Sequence, residues 1–526
     1  MTWPLELVFC PTSQPNEEMK KRSLVLVTVD CLRADHVGFL GYPRPVTPNL
    51  DALAANSIIF SDAIVAGAPT YFSFPAILAS RYPLALGRDV LGIAPNEPTL
   101  ASVLHEAGYA TAAFVAGNPY LGRRFGYDQG FDGFQDFLDA GTLGAPLSPE
   151  PAAQGGLPKL NRMIEAASRR NTLSAAAYDE LYFWYCQWMS AREDIPMDRL
   201  RRYPAANVIV DHAQSWLSGL GDQPFFLWLH LMDPHHPYYP PAESLAALGL
   251  RITARRARFL NSFWNRGDIG AQRLQRHRRE ILSLYDAGVN WVDKQLSRLV
   301  DDLQQSQQWD ETVLAVTADH GEAFLEHGDR YHSPTSLPEH LIRVPLLLRA
   351  PELLGRRLLE GPFSLIHMAP TLLESVGFPA PDSFQGRSVW EQISAGTLPG
   401  EPAITECVDG CCNPIRPEDR LRPRLMAVRD REFKLVINFR EGRDYLYDLK
   451  NDPAESSPLP PGDRMRERGR LFRAAHVHLE RTSDSHRTDL RLRALLRDLQ
   501  QSGIMTAATQ ASRTVEEVRR ASVPFT

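Results

Sequence analysis

Two acidic residues and a histidine follow apolar runs of the chain, and their side chains suit a cation. Asp30 comes directly after the run at residues 23–29, and the pair Asp319-His320 follows a second run at 312–317. Carboxylate oxygens together with an imidazole nitrogen are ligands of divalent ions such as zinc or manganese. An Asp-His pair alone is a weak signal, since such residues also cap helices. The pattern indicates a metal site and leaves helix capping as the alternative.

Thr70 supplies a hydroxyl near the start of an expected helix, within the segment Gly67-Ala-Pro-Thr-Tyr-Phe-Ser73. Backbone N–H groups and the helix dipole favour an anion at such a position, so a hydroxyl there would meet a bound anion. Threonine and serine are also preferred N-cap residues. On these local grounds capping is the stronger interpretation of Thr70, and a chemical role is the alternative.

Five short apolar runs predict buried strands, and the segments between them have helical periodicity. The runs span residues 23–29, 110–115, 225–231, 312–317 and 344–349. Alternation of buried strands with helices is typical of an α/β fold with a large, mostly parallel sheet that is covered on both faces. In such sheets, ligands bind beyond the carboxyl ends of the strands. Asp30 and Asp319 are therefore expected to meet at one edge of the sheet.

Changes of pattern divide the chain of 526 residues into regions. We predict an N-terminal arm at 1–22, a large α/β domain at 23–400, a small antiparallel sheet at 401–462 and a helical tail at 463–526. A mostly helical insertion is expected within the large domain, at about 141–279. The tail is expected to pack on the body, and contacts within a homodimer are the alternative.

Composition and charge argue against several classes of protein. The formal charge of −6 is small for this length and gives no reason to expect a nucleic-acid partner. The N-terminal segment fits neither a signal peptide nor a membrane span, so we expect a cytoplasmic protein. The six cysteines lack the density of a disulfide scaffold, and reduced thiols are expected. Cys407, Cys411 and Cys412 could form a metal or disulfide site, but incidental thiols are the preferred interpretation.

Blocks of sequence along most of the chain resemble the sulfatase family of the alkaline phosphatase superfamily. They follow the family order: Val27-Thr-Val-Asp30-Cys-Leu-Arg33-Ala-Asp35-His36, Thr47-Pro-Asn-Leu-Asp51, Gly108-Tyr-Ala-Thr111, Gly130-Phe-Asp132, Asp233-Pro-His235, Thr317-Ala-Asp-His-Gly-Glu322, Glu326-His-Gly328, Arg343-Val-Pro-Leu346 and Leu446-Tyr-Asp-Leu449. The resemblance implies an alkaline phosphatase-like fold, with a large sheet flanked by helices and a small C-terminal sheet. It also implies an enzyme that cleaves anionic esters with a metal ion.

The family's nucleophile block, Cys/Ser-x-Pro-Ser-Arg, is located by counting back from the Ser-Arg-Tyr-Pro segment at residues 80–83. Thr70 then takes the nucleophile position, Ser73 that of the motif serine and Phe74 that of the motif arginine. Cys31 likewise replaces the second acid of the sulfatase Asp-Asp pair. Sulfatases proper oxidise the Cys or Ser to formylglycine, an aldehyde that threonine cannot give. The resemblance therefore implies that Thr70 attacks as an unmodified alkoxide, as in relatives that act on phosphate esters.

The same resemblance implies that one divalent metal ion is held by Asp30, Asp319, His320 and Thr70. A histidine among oxygen ligands favours manganese or zinc, with magnesium or calcium as alternatives. His235 and His332 match positions that contact the anion or protonate the leaving group. Three further residues are expected as neighbours of the substrate: His327, His230 and Ser73.

The departures from the family pattern decide between the functions. The leading hypothesis is a metal-dependent hydrolase or transferase that cleaves phosphate mono- or diesters through a covalent Thr70 intermediate. The first alternative is a sulfuric ester hydrolase that works without formylglycine. The second alternative is a pseudoenzyme that only binds ligands. The substrate is expected to be a small-molecule or glycan-type anionic ester.

Overall fold

The computed structural model describes residues 21–83, 92–138, 156–190, 192, 194–332, 336–353, 355–408 and 423–483. Most of the N-terminal arm, Cys411, Cys412 and the tail beyond residue 483 lie outside these ranges. The expectations stated for those parts of the chain therefore stay predictions.

Strands of the described chain form a large sheet, a small antiparallel sheet and a two-stranded pair. In chain order they are β1 (Ser23–Val29), β2 (Ile58–Ile64), β3 (Ala110–Val115), β4 (Gly133–Gln135), β5 (Phe225–Leu231), β6 (Thr312–Ala318), β7 (Ala323–Phe324), β8 (Arg330–Tyr331), β9 (Arg343–Val344), β10 (Leu346–Arg349), β11 (Arg357–Ser364), β12 (Ala403–Val408), β13 (Pro423–Arg429), β14 (Phe433–Asn438) and β15 (Arg443–Asp448). The large sheet has the order β11-β2-β10-β6-β1-β5-β3-β4, with β9 paired to β2. Only β9 and β10 run antiparallel to their described neighbours in it. The expected large, mostly parallel sheet is confirmed.

Helices flank the large sheet, and the last described helix packs against the small sheet. In chain order they are α1 (Pro48–Ala54), α2 (Thr70–Ala79), α3 (Leu100–Glu106), α4 (Gly156–Ser168), α5 (Thr172–Ser190), α6 (Ala206–Leu217), α7 (Ala242–Ala247), α8 (Ala254–Trp264), α9 (Ala271–Leu274), α10 (Arg278–Gln305), α11 (Glu339–Ile342), α12 (Met368–Ser375), α13 (Trp390–Ser394) and α14 (Met465–Ser483). The long helix α10 buries an apolar side that includes Leu284, Val292 and Leu299, and it packs against α6 and α1. Within the described ranges, no helix combines the length and the apolar character that a membrane crossing requires.

The registers of β1, β5 and β6 bring three strand ends to the same level. Val29 pairs with Leu231 of β5 and with Ala318 of β6. Every residue of these three strands is buried, because central strands of a sheet that is covered on both faces have no solvent side. Asp30 and Asp319, the residues that follow β1 and β6, therefore emerge side by side at the carboxyl edge of the sheet.

Three strands of the large sheet, β2, β4 and β11, were not indicated by the sequence patterns. Ser61 and Asp62 interrupt the apolar run of β2, and β11 contains Gly361-Pro362, a pair typical of a turn. The register of β11 against β2 shifts between Leu359 and Pro362, as at a β-bulge. The strand expected at 344–349 is divided at Pro345 into β9 and β10, because proline has no N–H to donate to a neighbouring strand.

The small sheet has the order β12-β13-β14-β15, with every pair antiparallel. The small antiparallel sheet expected in this part of the chain is confirmed, and β12 forms one of its edges. It also contacts the large domain, because the backbone N–H of Glu406 donates to the carbonyl of Ala66 at 2.9 Å. The carbonyl of Glu406 accepts from the N–H of Ala68 at 3.4 Å. Since these alanines shortly precede Thr70, the small sheet supports the segment that leads into α2.

Replacing His478 with alanine is expected to lower the free energy of unfolding by about 1.5–3 kcal/mol. His478 lies on α14, and its Nε2 is 2.6 Å from Oε1 of the buried carboxylate of Glu406. The substitution removes a charge-assisted contact inside the protein. Urea unfolding measures the change. The control is His476→Ala on the same helix, since His476 pairs with a carboxylate that is largely exposed. Equal effects of the two substitutions would contradict the expected importance of the buried contact.

Candidate active site

Asp30, Asp319 and His320 meet at the carboxyl edge of the large sheet, and all three are fully buried. Nε2 of His320 lies 3.4 Å from Oδ2 of Asp319 and 3.8 Å from Oδ1 of Asp30. One ligand atom from each of the three residues lies within 4.8 Å of the other two. The structure thus brings together three of the residues that were expected to bind a metal ion, at a spacing that a single cation can bridge.

Backbone contacts orient the ring of His320. Its Nδ1 lies 2.8 Å from the carbonyl oxygen of Gly321. A proton on Nδ1 that donates to this carbonyl leaves the lone pair of Nε2 facing the carboxylates. Histidines that bind metals are commonly oriented in this way, by a carbonyl on the other ring nitrogen. The orientation of His320 therefore fits a divalent cation at Nε2.

The two carboxylates of the group differ in their partners. Oδ2 of Asp30 accepts from Nδ2 of Asn118 at 3.0 Å and lies 3.3 Å from Nε2 of His230. Burial opposes the charge of Asp30, but neighbouring histidines, His235 first, hold its pKa well below the usual range. Oδ2 of Asp319 has no hydrogen-bond partner among the described residues, and burial followed by the charge of Asp30 raises the pKa of Asp319. A divalent cation would offset the unfavourable burial of this pair, so the residues present fit such an ion.

Thr70 is the first residue of α2, and its hydroxyl faces the same group. Oγ1 of Thr70 lies 2.9 Å from Nε2 of His320, and every residue of α2 is buried. The N-cap residue of α2 is Pro69, and no side chain caps the helix. Capping, which the local sequence favoured, is therefore not the use of this hydroxyl. The start of a ten-residue helix also favours an anion there.

A second polar group lies beside the first and consists of Glu322, Tyr238, His332 and His235. Oε1 of the buried Glu322 accepts from the hydroxyl of Tyr238 at 2.8 Å, and Oε2 lies 3.2 Å from Nδ1 of His332. The ring centroid of His332 is 4.5 Å from that of His320 and 5.1 Å from that of His235. Burial alone would lower the pKa of His332, but Glu322 raises it above the ordinary value, whereas burial lowers the pKa of His235. His332 is therefore the better suited of the two to donate a proton.

The residues expected as neighbours of the substrate lie at different depths. Ser73 is buried one helical turn after Thr70, and its hydroxyl has no hydrogen-bond partner among the described residues. His230 is buried behind Asp30, as the 3.3 Å contact above shows. His327 is exposed and stacks on His340 with ring centroids 5.5 Å apart. The structure therefore places His230 at the buried group, buries Ser73 one turn further along α2, and leaves His327 at the surface.

Three residues at the site were given no role by the sequence. Asn118 and Cys31 both contact the carboxylate of Asp30, and Sγ of Cys31 donates to its Oδ1 at 3.1 Å. Asn118 shortly follows β3, and a polar residue after a buried strand was a usable signal. Glu322 lies two residues after His320 within a family block, which was also a signal. No local pattern shows the contacts of Cys31, because they depend on its backbone conformation.

Phe74, which the resemblance aligns with the motif arginine, forms an apolar wall. Its ring centroid lies 5.0 Å from that of His230, 5.5 Å from that of Trp228 and 6.2 Å from that of Tyr127. The side chain is completely buried among these rings. A guanidinium that would hold a formylglycine in a sulfatase is thus replaced by a hydrocarbon ring. This environment is consistent with an unmodified side chain at position 70.

The fold and this site together define an α/β enzyme with a candidate divalent-cation site. The family model described as sulfatase matches residues 22–378, and the chain belongs to the sulfatase family. Its relatives include ester hydrolases, which supports an enzyme with ester hydrolase activity.

Individual relatives cover nearly the whole chain. The chain is 24% identical to YidJ, an uncharacterised sulfatase of Escherichia coli, over 492 residues that cover 89% of each protein. The structure of BT4656 with its substrate D-glucosamine-2-N,6-O-disulfate aligns over 90% of this chain and 100% of its own, with a TM-score of 0.62 and 17% identity. The phosphonate monoester hydrolase of Agrobacterium radiobacter aligns over 89% and 96%, with a TM-score of 0.58 and 18% identity. These similarities support the fold. Whether the enzyme cleaves a sulfate ester or a phosphorus ester depends on the residues of the site.

Proposed function

We propose that this enzyme cleaves phosphate mono- or diesters, as a hydrolase or transferase, through a covalent intermediate on Thr70. The contact of 2.9 Å between Oγ1 of Thr70 and Nε2 of His320 carries the proposal, because it places a hydroxyl within the cation-binding group. Threonine has a methyl group on Cβ, so its oxidation cannot give the aldehyde of formylglycine. An unmodified alcohol as nucleophile favours a phosphorus ester over a sulfate ester.

The covalent step is a displacement at phosphorus. The hydroxyl of Thr70 gives its proton to solvent, Oγ1 forms a bond to phosphorus, and the bond from phosphorus to the leaving oxygen breaks. Asp30, Asp319 and His320 would hold the divalent cation, with Thr70 beside it. When bound, such an ion lowers the pKa of an oxygen acid and neutralises charge on the ester. Water, or an acceptor alcohol in a transferase, then displaces Oγ1 from phosphorus and regenerates the hydroxyl.

His332 would give a proton to the leaving oxygen. Its Nδ1 faces Glu322, whose pKa of about 2 reflects the stabilising contact with His332 against the cost of burial. This pairing keeps the imidazolium form of His332 populated and leaves the second ring nitrogen as a proton donor. Tyr238 donates to the other carboxylate oxygen of Glu322 and so holds it in place. In this account Glu322 is a positioning residue, and His332 is the general acid.

The substitution Glu322→Gln is expected to lower kcat by about 10²-fold for an alkyl phosphate, because the leaving alkoxide needs a proton. For a 4-nitrophenyl phosphate, whose leaving group is stable without a proton, the loss is expected to stay within about threefold. Steady-state kinetics on the two esters measure the difference. The control is Glu326→Gln, which removes a carboxylate that pairs with Arg33. Equal losses of kcat on both esters would contradict the role given to Glu322.

Two other functions fit the family, and a direct test can distinguish them from the proposed one. A sulfuric ester hydrolase that uses Thr70 is favoured by the sulfated sugar bound to BT4656. A pseudoenzyme would retain the candidate ligands and bind esters without turnover. The substrate of BT4656 is a sulfated sugar. Both small-molecule esters and glycan-type esters should therefore be tested as substrates.

A panel of 4-nitrophenyl phosphate, bis(4-nitrophenyl) phosphate and 4-nitrophenyl sulfate separates these functions. The enzyme is first treated with a chelator and then supplied with Mn²⁺ or Zn²⁺. We expect at least one phosphorus ester to be cleaved with a kcat/KM about 100-fold or more above that of the sulfate. Faster cleavage of the sulfate would favour the first alternative. Bound cation without turnover of any ester would favour the pseudoenzyme.

A further inference from the structure

Cys31 enters the same pocket as Asp30, although the two residues are neighbours in the chain. In an extended strand, successive side chains point to opposite faces of the sheet. Cys31 is the second residue after β1, and it adopts a φ of 61°, in the left-handed region that non-glycine residues rarely occupy. This change of backbone direction allows both side chains to face the pocket. Cys31 is completely buried there.

Three polar side-chain atoms lie close to the sulfur of Cys31. Its Sγ lies 3.1 Å from Oδ1 of Asp30, 3.5 Å from Nδ1 of His332 and 3.9 Å from Nδ1 of His320. Cys31 also belongs to two groups of residues whose ligand atoms lie within 4.8 Å of one another. One group contains Asp30 and His235, and the other contains His320 and His332.

Oδ1 of Asp30 connects this sulfur to the cation site described above. The same oxygen lies 3.1 Å from Sγ of Cys31 and 3.8 Å from Nε2 of His320. A cation bound to this oxygen is therefore within reach of both the sulfur and the imidazole. Oδ2 of Asp319 gives an independent sign that a cation belongs here, since it is buried and has no hydrogen-bond partner among the described residues.

We propose that Cys31 is a thiolate ligand of the divalent cation and gives the site a preference for zinc over magnesium and calcium. The thiol releases its proton to solvent as the sulfur forms its bond to the cation. Thiolates are soft ligands that bind zinc well, whereas magnesium and calcium take oxygen ligands. The proposal rests on the metal site of the proposed function. It adds a ligand of a different chemical type from the acid that sulfatases carry at this position.

Cobalt substitution tests the proposal in the full-length protein. After bound metal has been removed, one equivalent of Co²⁺ is expected to produce a near-ultraviolet thiolate-to-cobalt charge-transfer band. The variant Cys31→Ser is expected to bind Co²⁺ through the remaining ligands and to lose this band. A control variant with serine in place of Cys10, Cys186, Cys411 and Cys412 is expected to keep the band. A cysteine that only donates a hydrogen bond to Asp30 would give no such band.

The preference between metals provides a second measurement. The substitution Cys31→Asp is expected to lower the ratio of the Zn²⁺ affinity to the Mg²⁺ affinity by at least about tenfold. Competition titrations measure this ratio in the wild type and in the variant, and an unchanged ratio would overturn the proposal.

The outcomes separate this proposal from the proposed function. One equivalent of bound Co²⁺ without the band, or the same band in Cys31→Ser, would overturn the role of Cys31 and leave the metal site intact. A wild-type protein that binds no divalent cation would contradict both the role of Cys31 and the metal dependence of the proposed reaction.

Discussion

Replacing Thr70 with alanine is expected to lower kcat/KM for a phosphate ester by at least about 10⁴-fold. The substitution removes the oxygen that forms the bond to phosphorus. It leaves in place the two carboxylates and the imidazole of the cation-binding group. The affinity for the cation is therefore expected to fall by less than about tenfold. Steady-state kinetics and titration calorimetry on the same preparation measure the two quantities.

The matched control for this prediction is Thr70→Ser. Serine keeps the hydroxyl at the start of α2, so its kcat/KM is expected to stay within about tenfold of the wild-type value. A rate for Thr70→Ala near that of the wild type would mean that water attacks the ester directly. The cation site would then remain, but the covalent mechanism would be wrong.

Replacing Asp319 with asparagine is expected to weaken cation binding by more than about 100-fold, since even residues that only support a metal ligand contribute up to that amount. Turnover is expected to fall with the bound metal. When a chelator is present, the variant is expected to unfold at a higher temperature than the wild type, because it no longer buries a second charge beside Asp30. With Zn²⁺ at about 100 times the wild-type Kd, the wild type should gain about 2.7 kcal/mol of stability, whereas the variant should gain less than about 0.4 kcal/mol.

The sign of the pH dependence follows from the raised pKa of Asp319 in the metal-free protein. A carboxyl whose pKa is higher in the folded state contributes stability at low pH, and this contribution is lost as the pH rises through the raised value. The advantage of Asp319→Asn in chelator should therefore grow between acidic and neutral pH. Asp301→Asn, at an exposed position on α10, is the control and should change neither quantity. A variant that is less stable than the wild type at every pH, with and without cation, would contradict this account.

Strands that are buried along their whole length could be predicted from the sequence. β1, β3 and β5 have the bounds that their apolar runs indicated, because these strands lie in the middle of a covered sheet. β2 and β11 could not be predicted in this way. Polar residues such as Ser61 and Asp62 break their patterns, and the partner strands that stabilise them are distant in sequence. β12 is held partly by backbone contacts to the segment before Thr70, which no local pattern reveals.

The sequence could likewise place some residues of the candidate site but not others. The meeting of Asp30 with Asp319 and His320 follows from the rule that parallel strands end at a common edge. The local pattern around Thr70 favoured a helix cap, and only the resemblance to a family placed its hydroxyl beside the ligands. The position of Cys31 depends on one left-handed backbone conformation after β1. A sequence shows that the second acid has been replaced, but not that the replacing side chain still faces the site.

The proposed mechanism depends on a covalent bond between phosphorus and Oγ1 of Thr70. Its most direct test is acid quenching of the zinc- or manganese-loaded enzyme during turnover of 4-nitrophenyl phosphate, followed by peptide mass spectrometry. We expect the peptide that contains Thr70 to gain the mass of a phosphoryl group, with fragmentation assigning the group to Thr70. The corresponding peptide from Thr70→Ala should carry no such group. Rapid turnover with an unmodified Thr70 at every quench time, or with the phosphoryl group on another residue, would contradict the account.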